Sequence, residues 1–430
     1  MKAPKFLLLI LLSSAGMTGN IFATIGTWSG TSNGTWVNSA NWLGGTVPGS
    51  TSTNGNGDTA IFNTSTGVTV TLATRGIDVV DFDTNVGSFT LSFGGLYVAS
   101  GGGINLLSTV TSTNQTETIN SPVTAHGSFG INNSSTSDVF DFTGAMTSNS
   151  TTANETWSLS GTNTGANTLG GVISNGGTFT VAISKSGTGT WILGGANTYT
   201  GGTVVGVGTL LANNSTSATG TGSVSVSSGG TLGGIGTITP TTVVGTNKVI
   251  ISAGGTLAPG TIGNTNTLTI SATGNANPSG LLALTSGASG SILSFNLGAG
   301  NTASKLSLTS AFASEVTGLS GNVFNFTDLT TGSLATGEYT LIQTDDSTTN
   351  PFSGLSLGTL SGFTLNGLSA YAGDTVQLEL NQLIGTNDYA LQLDIESGAV
   401  PEPGTWAMML GGMAMLSLVL RRKKDRSCAS

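Results

Sequence analysis

Between Thr24 and Ala399 the apolar residues come in runs of three to six, often alternating with Thr or Ser, and glycine or asparagine interrupts most runs. Alternation with period two marks a strand with one buried face, whereas a helix needs apolar positions three and four apart. No stretch of this span sustains the helical spacing. Val68-Thr69-Val70-Thr71-Leu72, Phe89-Thr90-Leu91-Ser92-Phe93 and Val376-Gln377-Leu378-Glu379-Leu380 all alternate, as does Tyr389-Ala390-Leu391-Gln392-Leu393. The pattern predicts many short strands joined by tight turns.

A second, longer period lies over the first. Gly208-Thr209-Leu210, Gly230-Thr231-Leu232 and Gly255-Thr256-Leu257 return the same triplet, and their leucines step by 22 and then 25 residues. A short strand, a Gly/Asn turn and a return to the same apolar position at this interval predict a parallel β-solenoid. Each coil would lay its strands on the coil below at ~4.8 Å, stacking Val, Ile and Leu inward and Thr and Ser outward. The expected architecture is all-β: a right-handed parallel β-solenoid with N-terminal and C-terminal β caps. The body divides into a Trp-rich cap (24–66), coils (67–270, best repeat copy 184–210) and a C-terminal β region (271–396).

The two ends have a different texture. Lys2 and Lys5 precede Phe6–Leu12, an apolar run too short to span a bilayer, and small residues follow. This reads as a secretory signal peptide (1–23), with cleavage after Ala23 preferred over Ala15. At the other end a linker (397–405) holding Val400-Pro401-Glu402-Pro403 leads into the apolar run 406–420. Trp406, Leu410, Leu416 and Leu420 belong to this run, which is expected to form one C-terminal transmembrane helix. It ends on Arg421, Arg422, Lys423, Lys424 and Arg426 in a basic tail (421–430), a stop-transfer cluster that keeps the charged end cytoplasmic. The run is short for a ~30 Å hydrocarbon core, and Trp406 and snorkelling arginines would extend it.

Charge and cysteine usage narrow the function classes. Of 11 Lys and Arg, only Arg75, Lys185, Lys248 and Lys305 lie in the body. No basic patch is available to neutralise phosphates, which excludes nucleic acid as a partner. The single cysteine, Cys428, lies in the basic tail, so the body is expected to fold without disulfides.

Candidate chemistry is sparse. Trp28, Trp36 and Trp42 fall within twenty residues and admit two readings: a stacking platform for sugars, or packing anchors that cap the first strands. Large aromatics anchor cores far more often than they present a face, so packing is the expectation. Asp78, Asp81 and Asp83 form one small carboxylate group, and Asp138 with Asp141 another. Ca²⁺ would want several such oxygens, but no EF-hand loop or Gly-Gly-x-Gly-x-Asp nonapeptide is present, and solvated turn carboxylates are the expected role. His126 is the only histidine and has no nucleophile-elbow sequence near it. The sequence therefore predicts no enzyme, no metal and no cofactor. A polysaccharide-cleaving carboxylate pair is the enzymatic alternative.

Two stretches resemble known families. Pro-Glu-Pro, a short apolar helix with Gly411-Gly412 near its middle and a terminal basic cluster resemble the PEP-CTERM sorting signal of bacterial exosortase substrates. Gly187-Thr188-Gly189, Gly195-Ala196-Asn197-Thr198-Tyr199-Thr200-Gly201-Gly202-Thr203 and Gly208-Thr209-Leu210 resemble the autotransporter-associated β-strand repeat. These resemblances imply export through the Sec translocon, removal of the leader by signal peptidase, and processing by an exosortase. They also imply a place among exopolysaccharide-associated proteins of the cell surface or matrix, with a glycan-binding adhesin as the alternative.

Overall fold

A computed structural model describes residues 23–397, except for 52–56, 85, 112–113, 241–247, 262, 273–279, 287–289, 310–315, 331–333, 346–349, 353, 369–373 and 384–387. The described strands form three sheets of 15, 14 and 7 strands. Sheet one starts at Ile25–Trp28 and pairs, coil by coil, through to Val316–Thr317. Sheet two starts at Gly34–Thr35 and ends at Thr364–Asn366. A third sheet joins at Thr237–Ile238, so the later coils are three-sided. Successive coils pair in parallel in sheets one and two, from Ile25 as far as Asn366. This is the stacked-coil architecture that the two superimposed periods require. Thirteen strands in the main path of sheet two, spaced ~4.8 Å, span about 58 Å along the stack.

The register turns the sequence repeat into columns. In sheet one Ala60, Val80, Ile104, Ile131, Leu159, Lys185, Val205, Val226, Ile251 and Leu284 partner one another in turn. In sheet two the column is Trp191, Leu210, Leu232, Leu257, Leu293, Phe324 and Leu365. The three leucines whose spacing announced the coils are thus stacked directly on each other. A one-residue slip would turn every inward side chain outward, so the shared apolar interior holds the register.

Corners need close backbone approach. Gly161 turns at φ 102°, and a Cβ there would lie 1.8 Å from the carbonyl oxygen of Asn133 in the coil before it. Only glycine fits.

The two ends of the stack are built differently. At the start, Trp28 and Trp42 form an antiparallel bridge, and Ser29 N donates to Asn41 O at 2.8 Å. The segment after Thr35 therefore lies over the free edge of the first strand, which blocks pairing by another chain. At the far end sheet three switches to antiparallel pairing: Gly337–Thr344 with Tyr389–Glu396, and that strand with Thr375–Gln382. Among the described residues the helices are two 3₁₀ turns, and none is long and apolar enough to cross a membrane. The run 406–420 lies outside the described residues, so the expected transmembrane helix has no geometry here.

Candidate functional site

The repeat landmarks lie on the strands Val181–Lys185, Thr190–Leu193, Thr203–Val205 and Gly208–Ala212 and the turns between them, and their side chains show what they do. The strand Val181–Lys185 alternates with Val181, Ile183 and Lys185 inward. Phase alone therefore carries Lys185 into the aliphatic column, where it is fully buried. Its Nζ donates to the carbonyls of Ser186 (2.9 Å), Gly187 (2.7 Å) and Val207 (2.9 Å), tying one corner to the next coil. Burial pushes its pKa down to about 8. Asn197 bridges in both directions. Its Oδ1 accepts from Ile173 N at 2.8 Å, and its Nδ2 donates to Ala218 O at 2.5 Å. Tyr199 is buried with its hydroxyl 2.6 Å from Thr203 Oγ1, and Trp191 Nε1 donates to Ser160 O at 3.1 Å. Thr203 Oγ1 donates on to Thr219 O at 3.2 Å, so Asn197 and Thr203 clamp neighbouring coils while Tyr199 braces Thr203 within its own coil. They satisfy corner groups that would otherwise be buried without partners.

A buried polar cluster lies among the apolar side chains of the earlier coils. Asn133 Nδ2 donates to Asn167 Oδ1 at 2.5 Å, and Asn167 Nδ2 donates to Asn163 Oδ1 at 2.9 Å and to Thr190 O at 3.0 Å. Asn163 Nδ2 in turn reaches Ser135 O at 2.9 Å. Glu117 is fully buried nearby. Its Oε2 accepts from Phe89 N at 2.8 Å, while Oε1 has no hydrogen-bond partner. Burial, with Asp138 adding repulsion, pushes the Glu117 carboxyl up to about 8, although the Phe89 N–H opposes the shift.

His126 lies with its ring 5.7 Å from that of Tyr97, and its Nε2 is buried without a hydrogen-bond partner. Burial lowers its pKa, and the nearby Glu155 carboxylate partly restores it. Glu155 is itself committed through Oε2 to Trp157 Nε1 at 2.8 Å. Among the carboxylates singled out above, Asp81 Oδ1 accepts from Asn105 at 2.8 Å, and Asp83 Oδ1 from Thr84 N at 2.8 Å. Among the described residues no three His, Cys, Asp or Glu side chains gather as a metal site.

Trp28, Trp36 and Trp42 are 1 %, 0 % and 2 % exposed, which leaves no ring face open to a sugar. They pack edge to face, with centroids 5.2 Å apart for Trp28–Trp42 and 5.0 Å for Trp36–Trp42, around Phe62. Each indole N–H is satisfied, by Gly30 O, Pro48 O and Trp36 O respectively. The three close the first coil as a plug.

The outer face of sheet two carries a groove of about 410 Å³. Gly233 and Ala258 partner one another on its floor, Leu211 and Leu329 flank it, and Thr231 and Asn296 line it. Small outward residues at the centre of the sheet create the depression, and its lining carries no charge. Such chemistry suits a neutral, partly apolar ligand.

Val400, Pro401, Glu402 and Pro403, the apolar positions Trp406, Leu410, Leu416 and Leu420, and the cations Arg421, Arg422, Lys423, Lys424 and Arg426 all lie outside the described residues. Sequence reasoning counted Lys185 only as one of four scattered bases and did not single out Glu117 or the asparagine cluster. The phase of Val181, Ile183 and Lys185 was the available signal.

Comparison with known proteins agrees with both stretches identified from the sequence. Residues 183–212 match the passenger-associated-transport-repeat model, and residues 399–423 match the PEP-CTERM protein-sorting motif. A 93-residue portion, 21% of this chain, is 39% identical to the adhesin BmaC autotransporter of Brucella suis biovar 1 (strain 1330). The match covers 3% of that much longer protein.

Proposed function

We propose that this chain is an exported, non-enzymatic protein of the cell surface or extracellular matrix, whose coiled body acts as a rigid spacer. One observation carries the reading: a protein-sorting motif at residues 399–423 follows a body built of stacked parallel coils. Export would begin with the Sec translocon and signal peptidase. Residues 406–420 would then hold the chain in the inner membrane as a helix, with the cluster from Arg421 to Arg426 on the cytoplasmic side. An exosortase would cut near Pro401–Pro403 and pass the body to the envelope, in association with exopolysaccharide. The coils would wind right-handed, the hand that parallel crossovers almost always take. Burial of Lys185 and Asn197 between coils supports a spacer rather than a catalyst, because their polar atoms are used to join coils.

Mass spectrometry of the C-terminus in membrane and envelope fractions tests this reading. The expected result is a body ending near Pro403 outside the inner membrane. An intact terminus at Ser430 confined to the membrane fraction would refute processing, and sugar release from a polysaccharide panel would refute the non-enzymatic role.

A second reading, adhesion, is favoured by the similarity to the adhesin and by the uncharged groove. Since the N-terminal tryptophans are buried, glycan binding would use the groove. Retention on a glycan array that disappears in Ala258→Arg would support it, and a blank array would retire it.

A further inference from the structure

Asp58 is 2 % exposed, and its two carboxylate oxygens are held by backbone amides: Oδ1 by Thr24 N at 2.5 Å and Oδ2 by Gly49 N at 2.7 Å. The cation in this region, Arg75, spends its NH1 on Gly49 O at 3.2 Å, and among the described residues no Lys or Arg pairs with Asp58. A carboxylate withdrawn from water needs an opposite charge or several donors, and two neutral N–H groups are a thin shell. Thr24 is at the same time the first residue of the first coil: its carbonyl accepts from Thr59 N at 2.8 Å, immediately before the strand Ile25–Trp28 begins. Ala23, on its other side, is exposed. The bond that the leader pattern marks for cleavage is therefore the bond adjoining the atom that touches Asp58.

We propose that the chain is cut between Ala23 and Thr24, and that the α-ammonium group so created is the counter-ion of the buried Asp58 carboxylate. Hydrolysis of the Ala23–Thr24 amide consumes one water. It leaves a carboxylate on Ala23 and an amine on Thr24, which takes up a proton near neutral pH. The neutral N–H···O⁻ contact becomes N⁺–H···O⁻, the charge-assisted kind that is roughly twice as strong. Removal of the leader thus completes the first coil electrostatically, and the tryptophan plug and Asp58 close the same end. The inference rests on the exported reading above, since an unprocessed chain has only a peptide N–H at this position.

The test uses full-length protein expressed with its own leader and recovered from cell fractions. Terminal sequencing should find Thr24 first. A processed protein beginning at Gly16 would overturn this inference and leave export intact, whereas cytosolic protein retaining Met1 would sink export itself. Acylation of the terminal amine is the second readout. Raising the amine pKa by one unit makes its reactive neutral fraction about ten-fold smaller. The amine should therefore react about ten-fold more slowly in the wild type than in Asp58→Asn, which keeps an acceptor for Gly49 N. Equal rates would overturn the ion pair. If Asp58→Asn does not fold, selective acetylation of Thr24 in the wild type should lower the urea midpoint, and an unchanged midpoint would overturn it.

Discussion

Lys185→Met removes one charge from the middle of an apolar column and leaves the stem nearly unchanged. Two opposing terms set the outcome. Burial drives the lysine from an ordinary 10.5 to about 8, so holding it protonated at pH 7 costs the fold up to about 3 kcal/mol. Against this, the ammonium satisfies three carbonyls, and each orphaned buried acceptor costs about 1–3 kcal/mol. Three acceptors at that cost match or outweigh one desolvated cation, so the variant should be less stable at pH 7 by up to ~6 kcal/mol. The pH dependence separates the terms. The folded pKa lies below the unfolded one, so between about pH 8 and 10.5 the unfolded chain binds the extra proton. Wild-type stability contributed by this group must therefore rise with pH through that window. In Lys185→Met the rise should vanish. Urea denaturation of both proteins at pH 7, 8, 9 and 10 measures the difference, and changes common to both cancel. Parallel curves would refute the claim that the Lys185 charge is buried in the folded state. A variant more stable than wild type at pH 7 would refute the weighting of the three carbonyls.

Glu117 has the opposite sign: its folded pKa of about 8 lies above the ordinary 4.5, so its contribution is full below pH 4.5 and is lost as pH rises towards 8. Glu117→Gln should flatten that loss, which is at most about 4–5 kcal/mol, and identical denaturation slopes over pH 4.5–8 for the two proteins would refute the burial of an acid there. Trp42→Ala should cost about 3–5 kcal/mol by urea denaturation, because it empties the centre of the aromatic plug. It also loosens the cover over the first strand edge, so light scattering should show association, and a variant that remained monomeric at wild-type stability would contradict the plug. Asn197→Ala orphans one amide and one carbonyl at a cost of ~2–6 kcal/mol, and hydrogen exchange at Ile173 should accelerate. Unchanged exchange there would show that Asn197 does not join the coils.

Much of the architecture was legible in one dimension because a solenoid is nearly one-dimensional: each coil touches only its neighbours, so the spacing of Leu210, Leu232 and Leu257 already states their contacts. The sorting motif was legible for a similar reason, since its parts act by order along the chain rather than by fold. What the sequence left open were properties of placement. The alternation of Val181, Ile183 and Lys185 implies an inward lysine, but whether carbonyls wait at its tip depends on how the corner of the next coil turns. The three tryptophans were expected to pack, with a sugar platform as the alternative, and the fold-back of the segment after Thr35 buries every ring face. Asp58 and Thr24 lie 34 positions apart, and nothing in that interval announces that they touch. Sequence by itself determined the period, the strand phase and the C-terminal sorting motif, because these follow from local order. Tertiary structure alone decided which polar atoms meet inside the coils, because a buried hydrogen bond needs two groups brought to within about 3 Å by chain that neither of them encodes.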